Sequence, residues 1–181
     1  MTTHLHHQHC GCLPHSTRGL SRRGVLGLST AGAVLAAFPA LAAGGSYEAM
    51  LANCIDPRLT TYNFAYMAGR GFKDLYSQFV IAGGPIGCVA DAFKDWRSTF
   101  WENLGITVKL HSIKRVVGIT HRDCGAAAVA YGERIVSDFA YETEMNTQAL
   151  RQFRAELNKR YPQLGVDTGI MALDGTVTAI T

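Results

Sequence analysis

Blocks of apolar and polar positions follow one another along the chain in an order that predicts alternating strands and helices. Short runs rich in apolar residues, bounded by Gly, Pro or polar residues, predict three buried strands: 47–54, 77–82 and 113–120. Apolar residues at helical spacing predict three helices: 88–104, 125–130 and 137–161. The predicted apolar side of the last helix comprises Phe139, Met145, Leu150, Phe153 and Leu157. Two short β-runs around Asp174-Gly175 predict a hairpin at the end of the chain.

Strands that alternate with helices predict a mostly parallel sheet covered by helices on both faces. The chain has 181 residues, of which 48% are hydrophobic, and it shows no internal repeat and no linker. This length suits one domain with a substantial core. We therefore predict a single α/β domain over residues 43–181, with a small, mostly parallel β-sheet flanked by helices.

The first 42 residues have the features of an export signal, which we predict to be cleaved from the mature protein. The pair Arg22-Arg23 precedes an apolar run from Gly24 to Ala42, which ends in small residues. Paired arginines beside Ser21 resemble a twin-arginine signal, so we expect the export machinery as a partner of this leader and a periplasmic or secreted location. An uncleaved leader would instead leave a membrane-anchored form, because about 18–20 apolar residues can span a bilayer.

The leader also accounts for the net charge of the chain. Its three arginines make up the whole excess of 17 Lys and Arg over 14 Asp and Glu, so the rest of the chain is neutral. A neutral domain gives no reason to expect nucleic acid as a partner. The His and Cys residues ahead of the paired arginines invite a metal-binding interpretation, but we expect a solvated tract there.

Three cysteines remain after the leader, an odd number that is too small for a disulfide framework, and we predict Cys88 to be a buried thiol. Cys54 follows the first strand, and His121 and Cys124 follow the third. Because the loops after parallel strands gather at one edge of a sheet, these three side chains can meet. Two thiolates and an imidazole suit tetrahedral Zn²⁺, and three protein ligands leave a fourth position open for catalysis.

Asp56 and Arg58 follow Cys54 at alternating positions, so in an extended segment their side chains would project to the same side. Asp56 would then approach the open position of the metal while Arg58 pairs with it and keeps the carboxylate ionised. Zinc would lower the pKa of a bound water from about 15.7 toward 7, and Asp56 would orient the resulting hydroxide. Arg122 and Asp123, between the other two ligands, either orient a ligand or face solvent.

Together these motifs resemble the β-class carbonic anhydrases, over most of residues 43–181. Cys54-x-Asp56-x-Arg58 and His121-x-x-Cys124-Gly125 are similar to the family's zinc ligands and its Asp–Arg pair. Segments 80–84 and 116–121 are similar to strands of that family, and segment 171–177 is similar to its closing hairpin.

The resemblance implies an activity and an assembly. It implies reversible hydration of carbon dioxide to bicarbonate by a zinc-bound hydroxide, with Zn²⁺ held by Cys54, His121 and Cys124. Arg58 would hold Asp56 off the metal, and the backbone N–H of Gly125 would contact bicarbonate. Family members are homodimers or higher homo-oligomers whose cleft is lined partly by the neighbouring subunit.

Some positions depart from the family pattern near the predicted cleft. Pro57 stands where the family has a small residue such as Ser or Thr, and Ile81-Ala82 replaces an Arg-Asn pair. These differences leave the metal ligands intact and leave the substrate open. Relatives hydrolyse carbonyl sulfide or carbon disulfide with the same metal set, so either compound is an alternative substrate. A zinc-binding protein of the same fold without turnover is the remaining alternative.

Overall fold

The computed structural model describes residues 45–181, so the predicted export signal with its paired arginines lies outside the described residues. The strands are β1 (Ala49–Asn53), β2 (Tyr76–Val80), β3 (Arg115–His121), β4 (Gly165–Met171) and β5 (Val177–Ile180). The helices are α1 (Thr60–Gly69), α2 (Pro85–Val89), α3 (Arg97–His111), α4 (Gly125–Tyr131), α5 (Arg134–Ser137) and α6 (Phe139–Arg160), with 3₁₀ turns over Pro57–Leu59 and Asp91–Trp96. Within residues 45–181, no helix has both the length and the apolar character needed to cross a membrane.

The five strands form one sheet in the order β2-β1-β3-β4-β5. β1 pairs in parallel with β2 and β3, and β3 pairs in parallel with β4. Only β5 is antiparallel, and it closes the chain as a hairpin with β4. The predicted mostly parallel α/β sheet and its closing hairpin are confirmed, and the carboxyl ends of β1 and β3 lie side by side.

Helices cover both faces of the sheet because alternate residues of each strand point to opposite sides. Met50 and Ala52 of β1 pack in the larger core with Phe100 of α3 and Phe153 of α6. Ala49 and Leu51 of β1 pack on the other face, in a smaller core with Met67 of α1. Burying one such large apolar side chain stabilises the fold by about 1.5–3 kcal/mol, so both cores hold the strands in register.

Two predicted elements differ from the structure. The run 77–82 is not a buried strand, because β2 lies at the edge of the sheet and Val80 is 47% exposed. The predicted helix 88–104 is broken at Ala90, whose extended backbone (φ −65°, ψ 143°) ends α2 before a 3₁₀ turn and α3 follow. The sequence still shows helical spacing because α2, the 3₁₀ turn and α3 each bury an apolar residue against the core: Val89, Phe93 and Phe100.

Helix α6 confirms the predicted long helix, but its first residue, Phe139, is 71% exposed and not part of the apolar side. Helix α1 was not predicted, because it buries only Asn63 and Met67 and so lacks a clear apolar stripe. Cys88 is buried as predicted, with its Sγ 3.5 Å from the carbonyl oxygen of Gly84.

The turn between β2 and α2 depends on glycine, since Gly84 has φ +55°. A Cβ on Gly84 would lie 2.9 Å from the carbonyl carbon of Asn53 and 2.9 Å from the carbonyl oxygen of Ile119. Both neighbours are backbone atoms of the central strands, so neither can move aside without disturbing the sheet. The turn therefore packs directly on the ends of β1 and β3, where the predicted site lies.

We expect Gly84→Ala to lower the free energy of unfolding by about 2–4 kcal/mol, because it combines a backbone clash with an unfavourable φ. Gly69→Ala is the matched control, since nothing lies within 4 Å of a Cβ at that position. Its effect should stay within about 1 kcal/mol. Urea unfolding followed by circular dichroism measures both, and equal midpoints for the two variants would contradict the close packing at Gly84.

Candidate metal centre

The three predicted metal ligands meet at the edge where β1 and β3 end. Cys54 directly follows β1, His121 is the last residue of β3, and Cys124 caps the start of α4. Their ligand atoms all lie within 4.8 Å of one another, and all three residues are buried. Such a spacing is compatible with one shared ion, whose bonds to sulfur and nitrogen measure about 2.0–2.3 Å.

The hydrogen bonding of His121 leaves one ring nitrogen free for a metal. Its Nδ1 lies 2.8 Å from the carbonyl oxygen of Arg122, so Nδ1 carries the proton and donates. Its Nε2 is buried and has no hydrogen-bond partner within residues 45–181. Leaving a buried polar atom unpaired costs about 1–3 kcal/mol, and a cation shared with the two sulfurs would remove that cost. The donor set therefore fits a zinc ion.

The two thiols form a coupled pair. The Cys124 thiol beside Cys54 lowers the pKa of Cys54 well below its usual range, and the backbone N–H of Gly83, which donates to its Sγ at 3.2 Å, acts in the same direction. The hydrogen bond of the Cys124 thiol to Cys54 raises the pKa of Cys124, and burial and the charge on Cys54 raise it further. Without a cation the pair keeps one proton, because two thiolates this close repel each other. A divalent ion would take the place of that proton.

Asp56 and Arg58 form the pair that the sequence predicts, but by a different local geometry. The expected extended segment is wrong beyond Asp56, because the chain turns into the 3₁₀ helix Pro57–Leu59. Asp56 caps this turn by accepting a hydrogen bond from the backbone N–H of Arg58 at 2.9 Å. Pro57 occupies the first position of the turn, where a missing N–H costs nothing. The departure from the family pattern at Pro57 is therefore compatible with the turn.

The guanidinium of Arg58 holds the Asp56 carboxylate with three hydrogen bonds, the shortest from Nη2 at 2.7 Å. These side-chain bonds, together with the backbone bond, lower the pKa of Asp56 to about 2. Asp56 is therefore ionised at neutral pH and acts as a hydrogen-bond acceptor.

Arg58 also reaches the other loop of the site. Its Nη1 donates to the carboxylate of Asp123 at 2.8 Å, and its Nη2 donates to the Asp123 carbonyl oxygen at 3.1 Å. Asp123 has a left-handed backbone (φ 57°), which is uncommon for a residue with a side chain. One arginine thus joins the loop after β1 to the loop after β3, so Asp123 orients a neighbour and does not merely face solvent.

A buried glutamate that the sequence analysis did not single out supports this loop. Glu142, in the first turn of α6, accepts from the backbone N–H of Asp123 at 2.7 Å and from Nη1 of Arg122 at 2.8 Å. The sequence held one signal for it: Glu142 and Asn146 are polar residues four apart on the buried side of α6. Polar residues at such positions need partners, and here the partner of Glu142 is the loop between the metal ligands.

A cleft of about 470 Å³ opens beside Cys54, and its wall is mostly apolar: Cys54, Ile55, Asp56, Pro57, Arg58, Ala82, Gly125 and Ala126. Asp56 and Arg58 supply its charged side chains, while Ala82 contributes no polar group. Gly125 is the first residue of α4, and nothing lies within 4 Å of a Cβ built on it. The residue predicted to contact substrate therefore borders open space next to the ligand group.

Comparison with known proteins identifies two relatives of this chain. No protein-family model matches the chain. An uncharacterized protein of Rickettsia bellii is 30% identical over 131 residues, which cover 72% of this chain and 80% of that protein. An uncharacterized protein of Rickettsia conorii is also 30% identical, over 72% of this chain and 70% of its own length. The chain belongs to the same family as these two proteins.

Comparison with solved structures gives the fold. The β-carbonic anhydrase CafA of Aspergillus fumigatus matches 80% of this chain and 80% of its own, with a TM-score of 0.50 and 15% identity. The β-carbonic anhydrase isoform I of Trichomonas vaginalis matches 75% of this chain and 84% of its own, with a TM-score of 0.49 and 15% identity. The match to CafA shows that the chain has the β-carbonic anhydrase fold, and the chain carries a Cys-His-Cys group that could hold a metal.

We expect Co²⁺ to bind with one equivalent per chain and to produce a thiolate charge-transfer band. Cys54→Ser and Cys124→Ser should each weaken binding by more than about 100-fold, because even the loss of an outer partner of a ligand costs about 10–100-fold. Cys88→Ser is the control, since this buried thiol is not part of the ligand group. A band that persists in both ligand variants would exclude the site.

Proposed function

We propose that this protein is a zinc-dependent carbonic anhydrase that interconverts carbon dioxide and bicarbonate. One observation carries the proposal: an ionised carboxylate, Asp56, is held by Arg58 in the cleft that is lined by Cys54, one member of the ligand group with His121 and Cys124. The fold alone would not support an activity, because one fold hosts many functions. The donor set and the adjoining Asp–Arg pair are what support this chemistry.

Each residue has a distinct role in this proposal. Zinc held by Cys54, His121 and Cys124 supplies Lewis-acid chemistry that makes water a nucleophile at neutral pH. The Asp56 carboxylate accepts a hydrogen bond from the attacking water and directs its lone pair into the cleft. Arg58 fixes the orientation of that carboxylate and prevents it from turning toward the ligand group. The apolar wall suits a small apolar substrate such as carbon dioxide.

The proton released in the reaction leaves through solvent in this proposal. Asp56 cannot store it, because hydrogen bonds from Arg58 lower the pKa of Asp56 to about 2. His111 cannot relay it, because it stacks on Tyr47 ahead of β1, at the opposite edge of the sheet. Seven residues of extended chain separate that edge from Cys54, a distance of about 23 Å. The exposed Arg58 side chain shows that solvent reaches the cleft directly.

A second candidate is hydrolysis of carbonyl sulfide or carbon disulfide at the same site. The observation that favours it is the apolar wall contributed by Ile55, Pro57 and Ala82, which offers no amide or hydroxyl to orient a polar product. Sulfur compounds are less polar than bicarbonate and depend less on such a group. Stopped-flow measurements separate the two activities, because one acidifies the medium and the other also releases sulfide.

We expect Asp56→Asn to lower the rate of carbon dioxide hydration by about 10²–10⁴-fold while leaving the metal content unchanged. The amide nitrogen would donate where the carboxylate accepts, and the pairing with Arg58 would be lost. Asp95→Asn is the control, because Asp95 is exposed on the 3₁₀ turn Asp91–Trp96. Full activity in Asp56→Asn would refute the role of Asp56. Stoichiometric zinc with neither activity in the wild type would identify a binding protein without turnover.

We also propose a homodimer or higher homo-oligomer, exported by the twin-arginine route. The strand β2 supports the first part, because its outer edge pairs with no other strand within residues 45–181 and exposes Val80. Light scattering of the purified protein should give a mass of at least twice that of one chain. A monomer would contradict the proposed oligomer.

Amino-terminal sequencing of the protein from the periplasmic fraction should give a sequence that begins near Ala43. An uncleaved chain would contradict the proposed export signal.

A further inference from the structure

The Glu142 carboxylate is buried and fully used by the loop between the metal ligands. Its side chain is 9% exposed, and its partner Arg122 is 18% exposed. Oε2 accepts from Arg122, and Oε1 accepts from the backbone N–H of Asp123. The guanidinium of Arg122 is also covered by the ring of Phe139, 4.0 Å away. Glu142 thus faces the loop, and neither of its oxygens is left without a partner.

The peptide group between Arg122 and Asp123 connects Glu142 to His121. The N–H of this group donates to Glu142, and its carbonyl oxygen accepts the hydrogen bond from His121 Nδ1 at 2.8 Å. The three groups therefore form a continuous chain of hydrogen bonds: imidazole, peptide, carboxylate. In many metal sites a carboxylate accepts directly from the histidine ligand. Here one peptide group stands between them.

We propose that Glu142 is a positioning residue that tunes His121 through this peptide group, an inference that rests on the metal site of the proposed function. The negative charge of Glu142 polarises the peptide, which makes the Arg122 carbonyl oxygen a stronger acceptor. A stronger acceptor keeps the proton on Nδ1 and increases the electron density on Nε2, the nitrogen that is left free for a metal. Glu142 thereby strengthens a ligand that it does not touch.

The Glu142 carboxylate also stabilises the loop residue Asp123, which contacts Arg58, the residue that holds Asp56. Its bond to the Asp123 N–H stabilises the left-handed backbone of Asp123 (φ 57°), a conformation that costs about 1–3 kcal/mol. In this conformation the Asp123 carboxylate and carbonyl oxygen both accept from Arg58, which holds Asp56. One buried group on a long helix therefore orients both the imidazole ligand and the Asp–Arg pair.

The decisive variant is Glu142→Gln, which keeps the size of the side chain and removes its charge. We expect zinc affinity, measured by competition with a chelator, to fall by about 10–100-fold. In the zinc-loaded protein we expect the NMR signal of the His121 Nδ1 proton to move upfield, because its hydrogen bond weakens. Glu156→Gln is the matched control: it lies on the same helix and pairs with Arg160. Its distance from Glu142 along α6 is about 21 Å.

Both changes in Glu142→Gln, with neither in Glu156→Gln, would support the proposal. Unchanged affinity and an unchanged Nδ1 signal would overturn it and leave the proposed function standing. A wild type that binds no metal would overturn both, whereas a wild type that binds zinc without hydrating carbon dioxide leaves this proposal intact. If Glu142→Gln does not fold, the NMR signal of the wild-type protein decides. A strongly downfield His121 Nδ1 proton would support the hydrogen-bond chain from imidazole to carboxylate. An Nδ1 proton that exchanges as fast as a solvent-exposed one would refute it.

Discussion

The parallel pairing of β1 with β3 is the contact on which the rest of the site depends. It places Cys54 beside His121 and Cys124 without any disulfide or direct chain connection between them. The pairing is stabilised by backbone hydrogen bonds and by apolar side chains on both faces of the two strands. Gly84 reinforces it, because its turn packs against backbone atoms at the end of both strands. A shift of register between β1 and β3 would separate the donors.

Around the donors, charged groups alternate in sign across three elements. Glu142 contacts Arg122, and Asp123 contacts Arg58, which in turn holds Asp56. Exposed ion pairs add little to stability, and Arg58 is half exposed. The value of this network therefore lies in orientation: it fixes the direction of one carboxylate and one imidazole relative to a common point.

The fold and the site make separate contributions to the functional argument. The shared fold places strand ends and helix starts at one edge, which many unrelated activities use. The proposed chemistry rests on a soft donor set and an ionised carboxylate held by Arg58. Ala82, one of the positions where the sequence departs from the β-class carbonic anhydrase pattern, lines the cleft but is neither a donor nor part of the Asp–Arg pair. A change in this part of the cleft wall would therefore leave the donor set itself unaltered.

The strands, the long helix α6, the parallel sheet and the identity of the donors could be predicted from sequence alone, whereas helix α1 could not. They depend on local patterns: apolar runs for strands, helical spacing for helices, and sulfur and imidazole at strand ends. Even the pairing of Asp56 with Arg58 was foreseeable, although the turn that produces it was not, because Pro57 is compatible with both an extended segment and a helical start.

Only the tertiary structure decided the features that depend on distant partners. The run 77–82 has the same composition whether its strand lies inside a sheet or at its edge, and the edge position follows from strand order. The sequence pattern does not reveal the break at Ala90, because α2, the 3₁₀ turn and α3 all bury their apolar residues on one side. The contacts of Arg58 with Asp123, and of Glu142 with the ligand loop, join residues far apart in the chain. A charged residue in a sequence shows that it needs a partner, but only the folded chain determines which partner lies within reach.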